Sequence, residues 1–196
     1  MSSGLAFDDI LTAAQAGAAW AFEALYRDLS PAVTGYLRLH GAVEPDDLAS
    51  ETFLGVFTGL GGFSGDEQAL RAWVFTIAHR RLVDDWRRRS RRPQTTDDAG
   101  DLLEYLGGDV EDDVMLQVGT EEVYRLCAGL PDDQRTVILL RILADLTVEQ
   151  VAEAMERTVP SVKALQRRGL RALRERLETA PEKVGAGAHP FASLRR

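Results

Sequence analysis

Apolar residues recur along this chain at spacings of three and four, and the alternation of half-buried strands is scarce. The pattern predicts an all-α protein built from two small helical domains. Residues 1–19 read as a short, weakly structured extension, followed by a first helical block over 20–92 and a second over 114–178. Between the blocks, residues 93–113 (PQTTDDAGDLLEYLGGDVEDD) are acidic and Gly-containing, and read as a flexible linker. A Gly- and Pro-bearing tail over 179–196 reads as mobile.

In the second block, Thr147 and Gln150 have the Thr-x-x-Gln spacing of a capping box, and Val148, Val151, Ala152 and Met155 continue it as an apolar stripe. Glu156-Arg157-Thr158 reads as a tight turn, after which Thr158 and Pro160 restart a helix. A short helix, a short turn and a longer helix form the skeleton of a helix-turn-helix. On the second helix, at about 100° per residue, Val162, Leu165, Gly169, Leu173 and Leu177 share one side. Lys163, Arg167, Arg171 and Arg174 fall on the other. A recognition helix in the major groove requires this division, with the stripe anchoring it and the arginines meeting phosphates and guanine edges. A solvated amphipathic helix is the plainer alternative. Gly169 costs roughly 1 kcal/mol against alanine inside a helix, which close approach to another helix would explain.

The first block ends in residues 71–92, RAWVFTIAHRRLVDDWRRRSRR. Its early part, Trp73 to Ala78, is apolar on every side and should be buried. Further on, Phe75, Leu82 and Trp86 share one side, while Arg80, Asp84, Arg87 and Arg91 share another. Basic residues interleaved with aromatics suit single-stranded or melting DNA, whose bases stack and whose backbone needs countercharge. Alternatively Trp73, Phe75 and Trp86 are core. Upstream, Pro45 with Asp46 and Asp47 marks a helix start. Leu48, Thr52, Phe53, Val56 and Leu60 then form an arc suited to burial. Asp47, Glu51, Leu54 and Thr58 form a second arc, which is either a partner surface or a solvated face.

The net charge of −8 argues against nucleic acid only until its distribution is seen. Residues 71–92 hold eight basic side chains and residues 157–176 seven, so two short stretches carry 15 of the 23 Lys and Arg. Asp97 to Asp113 holds eight acids and no base. Local patches decide how a polyanion is met.

No stretch approaches the ~20 apolar residues of a membrane span, and MSSGLAFDDI lacks the basic and apolar parts of a secretory signal. The cytoplasm is the expected location, with no membrane insertion. Cys127 is alone, which excludes an internal disulfide. His40, His79 and His189 form no metal-spaced pair, and no phosphate loop or serine elbow is present. No catalytic residue, metal or cofactor is therefore expected. An ordinary helix-turn-helix regulator, with the first block as sensor or dimerisation unit, remains an alternative.

In their order along the chain, these stretches resemble the extracytoplasmic-function (ECF) sigma factors of bacterial RNA polymerase. FEALYRDLSPAVTGYLRLHG resembles the opening helix of sigma region 2, and DDLASETFLGVFTGLGGF the segment that docks on polymerase. RAWVFTIAHRRLVDDWRRR resembles the segment that opens and reads the −10 element. The stretch from Leu130 to Leu177 resembles region 4, which reads the −35 element. The resemblance implies core RNA polymerase as partner, through its β′ clamp helices and β flap, together with promoter DNA and an anti-sigma factor. It places polymerase binding on Asp47, Glu51, Phe53 and Leu54. It places −10 contacts on Trp73, His79, Arg80, Asp84, Arg87 and Arg88, and −35 contacts on Ser161, Lys163, Ala164, Arg167, Arg168 and Arg171. The acidic linker would thread polymerase's channels or serve as a solvated spacer. The chain departs from the family pattern in having Ala78-His79-Arg80 where Ala-Arg-Asn is common, Glu156 where the turn often has Gly, and Pro160-Ser161 for a common Gly-Thr.

Overall fold

The computed structural model describes residues 6–91, 126–127 and 129–179. Among them are seven α-helices, one 3-10 turn and no strand. Helices α1 (Phe7–Gln15), α2 (Ala19–Leu39), α3 (Pro45–Gly59) and α4 (Glu67–Arg91) form the first unit, with the 3-10 turn Leu60–Gly62 between α3 and α4. Helices α5 (Asp132–Ile142), α6 (Val148–Ala154) and α7 (Val159–Thr179) form the second. The expected linker over 93–113 and all of the tail beyond Thr179 lie outside the described residues.

The extension expected over 1–19 differs from what is found. Residues 7–15 fold as α1, with Ile10 and Ala14 fully inside the first unit. Gln15 fastens its end, its Nε2 donating to the carbonyls of Leu60 at 3.0 Å and Phe63 at 2.7 Å. One amide thus satisfies two carbonyls, one in the 3-10 turn and one just after it, and the short helix is stabilised by packing rather than by length.

α3 begins at Pro45, whose missing N–H is no loss in a first turn, with Asp46 and Asp47 at the positive end of the dipole. Leu48, Thr52, Phe53, Val56 and Leu60 are all buried against α2 and α4, as the arc required. The Thr52 hydroxyl stays satisfied by donating to the Leu48 carbonyl at 2.7 Å. Asp66 caps α4 by accepting from the Ala69 amide. Along α4, Val74, Phe75, Ala78 and Leu82 are wholly inside, so Phe75 is core.

In the second unit the capping box forms, with the Gln150 amide donating to Thr147 Oγ1 and the Thr147 amide donating to Gln150 Oε1. Val162, Leu165 and Leu173 of α7 are buried against α5 and α6, each stabilising by roughly 1.5–3 kcal/mol. Leu177, expected on the same stripe, is 40% exposed. At Gly169 an added Cβ would lie 3.0 Å from Ile138 Cγ1, so α7 does approach α5 closely there. Cys127 is buried, and burial pushes its thiol up to about 11, which makes it an inert core residue.

The two units touch. The His40 Nε2 at the end of α2 and the Thr136 hydroxyl of α5 form a buried hydrogen bond of 3.0 Å across 96 residues of chain. Gln68 donates to the Asp145 carbonyl at 3.3 Å, and Arg80 pairs with Glu156 at 3.8 Å.

Candidate nucleic-acid interface

α6, its turn and α7 make the helix-turn-helix. Thr158 Oγ1 accepts from the Ser161 amide, which starts α7, and Glu156 turns the chain with φ of 53°. The turn needs the left-handed region that glycine enters easily, so glutamate here carries local strain. Lys163, Arg167, Arg168 and Arg171 project from α7 as exposed side chains, with Ser161 and Ala164 half-buried on the same helix. Arg171 has Glu175 at 3.9 Å, whereas no ion pair engages Lys163, Arg167, Arg168 or Arg174 among the described residues. Lys163, Gln166, Arg167, Leu170, Arg171 and Arg174 line one open groove. Unpaired guanidiniums on a rigid helix can meet phosphates or bidentate base edges without first breaking internal bonds.

α4 differs in having its cations already engaged. Arg87 has Asp84 at 3.6 Å and Arg88 has Asp85 at 3.3 Å, while Arg89 also bonds Asp85. The Arg87–Asp84 pair is exposed, one helical turn apart and worth a few tenths of a kcal/mol, so a DNA backbone can displace it, whereas Asp85 is half-buried between Arg88 and Arg89. Arg91 has no described side chain and Arg92 lies outside the described residues. Trp73 is half-buried, stacked on Phe63 at 5.3 Å and tight against Gly59, where a Cβ would be 3.0 Å from its ring. Its indole is thus held by the protein around the α3–α4 connection. Trp86 is half-buried with His40 at 6.1 Å.

His79 is held by α2. The Tyr36 hydroxyl lies 2.8 Å from His79 Nδ1, and burial raises the phenol's pKa, so it keeps its proton. Among the described residues that O–H has no other partner, so Tyr36 donates to Nδ1, and a neutral His79 carries its own proton on Nε2. Burial lowers the His79 pKa, which favours this neutral form. Where the resemblance leads one to expect an asparagine nearby, the chain instead presents an oriented imidazole N–H.

On α3, Asp47, Glu51, Leu54 and Thr58 are all exposed, and Leu54 is 70% so. Phe53, which the resemblance groups with polymerase binding, lies on the buried arc of α3. It is 2% exposed, edge-on to Tyr26 at 4.8 Å, because one residue of helical rotation turns it onto α2. Glu51 has Arg81 of α4 at 3.7 Å, a tie not read from the sequence. The seam residues Tyr36, His40 and Thr136 were missed too. A lone histidine and an isolated threonine carry no local signal of pairing over such a distance.

The Sigma-70 region 2 family matches residues 25–92, and the Sigma-70, region 4 family matches residues 120–173. The ECF RNA polymerase sigma factor SigK of Mycolicibacterium vanbaalenii is 30% identical over 165 residues, covering 82% of this chain and 83% of the relative. The chain belongs to the ECF sigma factors. The ECF sigma factor BldN of Streptomyces coelicolor is 31% identical over 169 residues, covering 84% of this chain but 63% of its own length. In fold, this sigma factor is similar to CnrH, solved with the cytosolic domain of CnrY, at a TM-score of 0.60 and 20% identity. That likeness covers 86% of this chain and 95% of CnrH. The region 2 match spans most of α2 with all of α3 and α4, and the region 4 match contains α5 and α6 and most of α7. Among the described residues of this sigma factor, no helix is long and apolar enough to cross a membrane.

Proposed function

We propose that this chain is an alternative sigma subunit that docks on core RNA polymerase through α3, reads the −10 strand with α4 and reads the −35 duplex with α7. The observation that carries the reading is the division of α7. Its buried stripe fixes the helix in a helix-turn-helix, while Lys163, Arg167 and Arg168 stand exposed and without ion pairs among the described residues. Ser161, Ala164 and Arg171 complete that surface. On α4, His79 and Arg80 contact the extruded strand, Arg87 and Arg88 exchange their internal pairs for its backbone, and Asp84, released by Arg87, accepts from a base amino group. Trp73 supports this face through its stack on Phe63. On α3, Asp47, Glu51 and Leu54 meet the β′ clamp helices, with Phe53 as the ring beneath them, and region 4 meets the β flap.

The chain works in the cytoplasm without a catalytic centre, metal or cofactor of its own, and an anti-sigma factor restrains it. CnrH, which shares the fold, was solved with CnrY, and another likeness, RpoE of Bartonella quintana, was solved with the anti-sigma factor NepR. Run-off transcription with core polymerase on a promoter library tests the reading. Adding the chain should create start sites at a defined pair of promoter elements. The same starts with core alone, or duplex binding that is indifferent to core, would leave only an ordinary helix-turn-helix regulator.

A further inference from the structure

The connection between α3 and α4 has little packing of its own. Four of the seven residues from 59 to 65 are glycines (GLGGFSG), and a Cβ added at Gly61 or Gly62 would meet nothing within 4 Å. Both glycines are exposed, and without side chains they leave the backbone many accessible conformations. The Phe63 amide closes the turn locally by donating to the Leu60 carbonyl at 3.0 Å. A second constraint comes from α1. Gln15 Nε2 donates to that same Leu60 carbonyl at 3.0 Å and to the Phe63 carbonyl at 2.7 Å. Leu60 and Phe63 flank the two glycines, so one side-chain amide pins both ends of the pair. The burial of Ile10 and Ala14 fixes the helix that carries it, and α1 precedes the residues 25–92 that the region 2 family matches.

The pinned turn carries Phe63, whose ring stacks on Trp73 of α4 with centroids 5.3 Å apart and planes 20° apart. A Cβ at Gly65 would lie 3.1 Å from Phe63 Cζ, and one at Gly59 would lie 3.0 Å from the Trp73 ring. Both rings are thus closed in at places where a side chain has been left out. The line of contact runs from Gln15 to the Phe63 backbone, from the Phe63 ring to Trp73, and so to the first half of α4. Gln15 is itself exposed, so water competes for its bonds and replacing it leaves the core intact. What the two bonds supply is direction, since a short N–H···O contact to each carbonyl is met by few arrangements of the turn.

We propose that Gln15 is a positioning residue: through the Leu60 and Phe63 carbonyls it sets the α3–α4 connection, and with it the Trp73 ring, in the arrangement that promoter opening requires. The proposal rests on the reading of α4 as the −10 helix. Gln15 itself touches no DNA.

Two substitutions test it. Gln15→Glu keeps the shape and removes the donor, whereas Gln15→Lys keeps a donor that can serve both carbonyls. Trp73 is watched by acrylamide quenching in a full chain whose other tryptophans are replaced, Trp20→Phe and Trp86→Phe. Quenching should rise with Gln15→Glu and return toward the parent with Gln15→Lys. In holoenzyme made from the otherwise unaltered chain, Gln15→Glu should slow promoter opening, followed by permanganate reactivity of −10 thymines, by roughly fivefold, the worth of one net hydrogen bond. Affinity for core polymerase should stay as in the parent, Gln15→Lys should restore most of the rate, and a pre-melted template should remove the difference. Should the glutamate variant misfold, Gln15→Ala carries the same readouts. Unchanged quenching overturns the proposal. So does slow opening that neither lysine nor a pre-melted template relieves, which would mark a general loss of structure. Trp73→Ala tells the two readings apart. If it slows opening while Gln15→Glu does not, α4 keeps its role and Gln15 has none; if neither slows opening, Trp73 has no part in it and the proposal falls with that reading.

Discussion

At position 169 a methyl group would meet Ile138 Cγ1 at 3.0 Å, and Ile138 is itself 1% exposed with a branched, stiff side chain. Alanine gains about 1 kcal/mol in helix propensity over glycine, but forcing a methyl into a packed interface costs about 1–3 kcal/mol. Because the methyl would also press on Ile138 Cδ1 at 3.4 Å and Gln134 Cβ at 3.5 Å, the steric term should win. Gly169→Ala should destabilise the chain by about 1 kcal/mol, read as a lower urea midpoint at unchanged slope. An unaltered or raised midpoint would show that α5 and α7 can separate without loss. This glycine was legible in sequence, since its presence inside a basic helix asked for a close neighbour. The inward position of Phe53 was legible too, since it falls on the arc with Leu48, Thr52, Val56 and Leu60, but its partner, the ring of Tyr26 on α2, was not.

Among the elements, α3 lets docking be separated from folding. Leu54 is 70% exposed, so truncating it removes almost no core contact, and Leu54→Ala should change stability by less than about 0.5 kcal/mol. If the same side chain anchors the interface with polymerase, its loss should weaken core binding by about 1 kcal/mol or more, measured by anisotropy of labelled chain against core enzyme. Normal core binding would return the face to solvent. Glu51 is a less clean probe, because reversing its charge also disturbs Arg81. The apolar arcs of α3, the core position of Phe75 and the capping box of α6 could all be read from spacing, since each is decided within one or two helical turns. α1 could not. Ile10, Leu11 and Ala14 make a stripe of barely more than one turn, and what holds it is Gln15 reaching carbonyls 45 and 48 residues away.

For the whole molecule, the segregated charge and the order of the two helical blocks were legible, because both are properties of the linear chain. The seam between the blocks was not, because its central bond links residues 96 positions apart. That seam gives the chain a pH response whose sign is fixed. Burial lowers the His40 pKa to about 3, with His79 and Arg135 pushing the same way and the bond to the Tyr36 carbonyl opposing; uncharged Thr136 and Trp86 close the site. His79 is also lowered by burial, helped by Arg80 and opposed by Asp133 and Glu156. Both are therefore neutral in the folded chain and take up protons on unfolding. Stability held above pH 6.5 should be lost as pH falls from there toward 3, since the unfolded state binds more protons throughout that window. One unit below the unfolded histidine value, the loss from His40 alone is about 1.4 kcal/mol, and His79 adds to it. Urea unfolding near pH 7.5 and near pH 5.5 measures the difference directly. His40→Gln, which cannot be protonated, should have lower stability at the higher pH and a smaller difference between the two. If the parent chain unfolds at the same urea concentration at both pH values, His40 is not held neutral at this seam. If instead the difference survives His40→Gln undiminished, it arises at other groups, because one fewer proton must be taken up when the buried imidazole is gone.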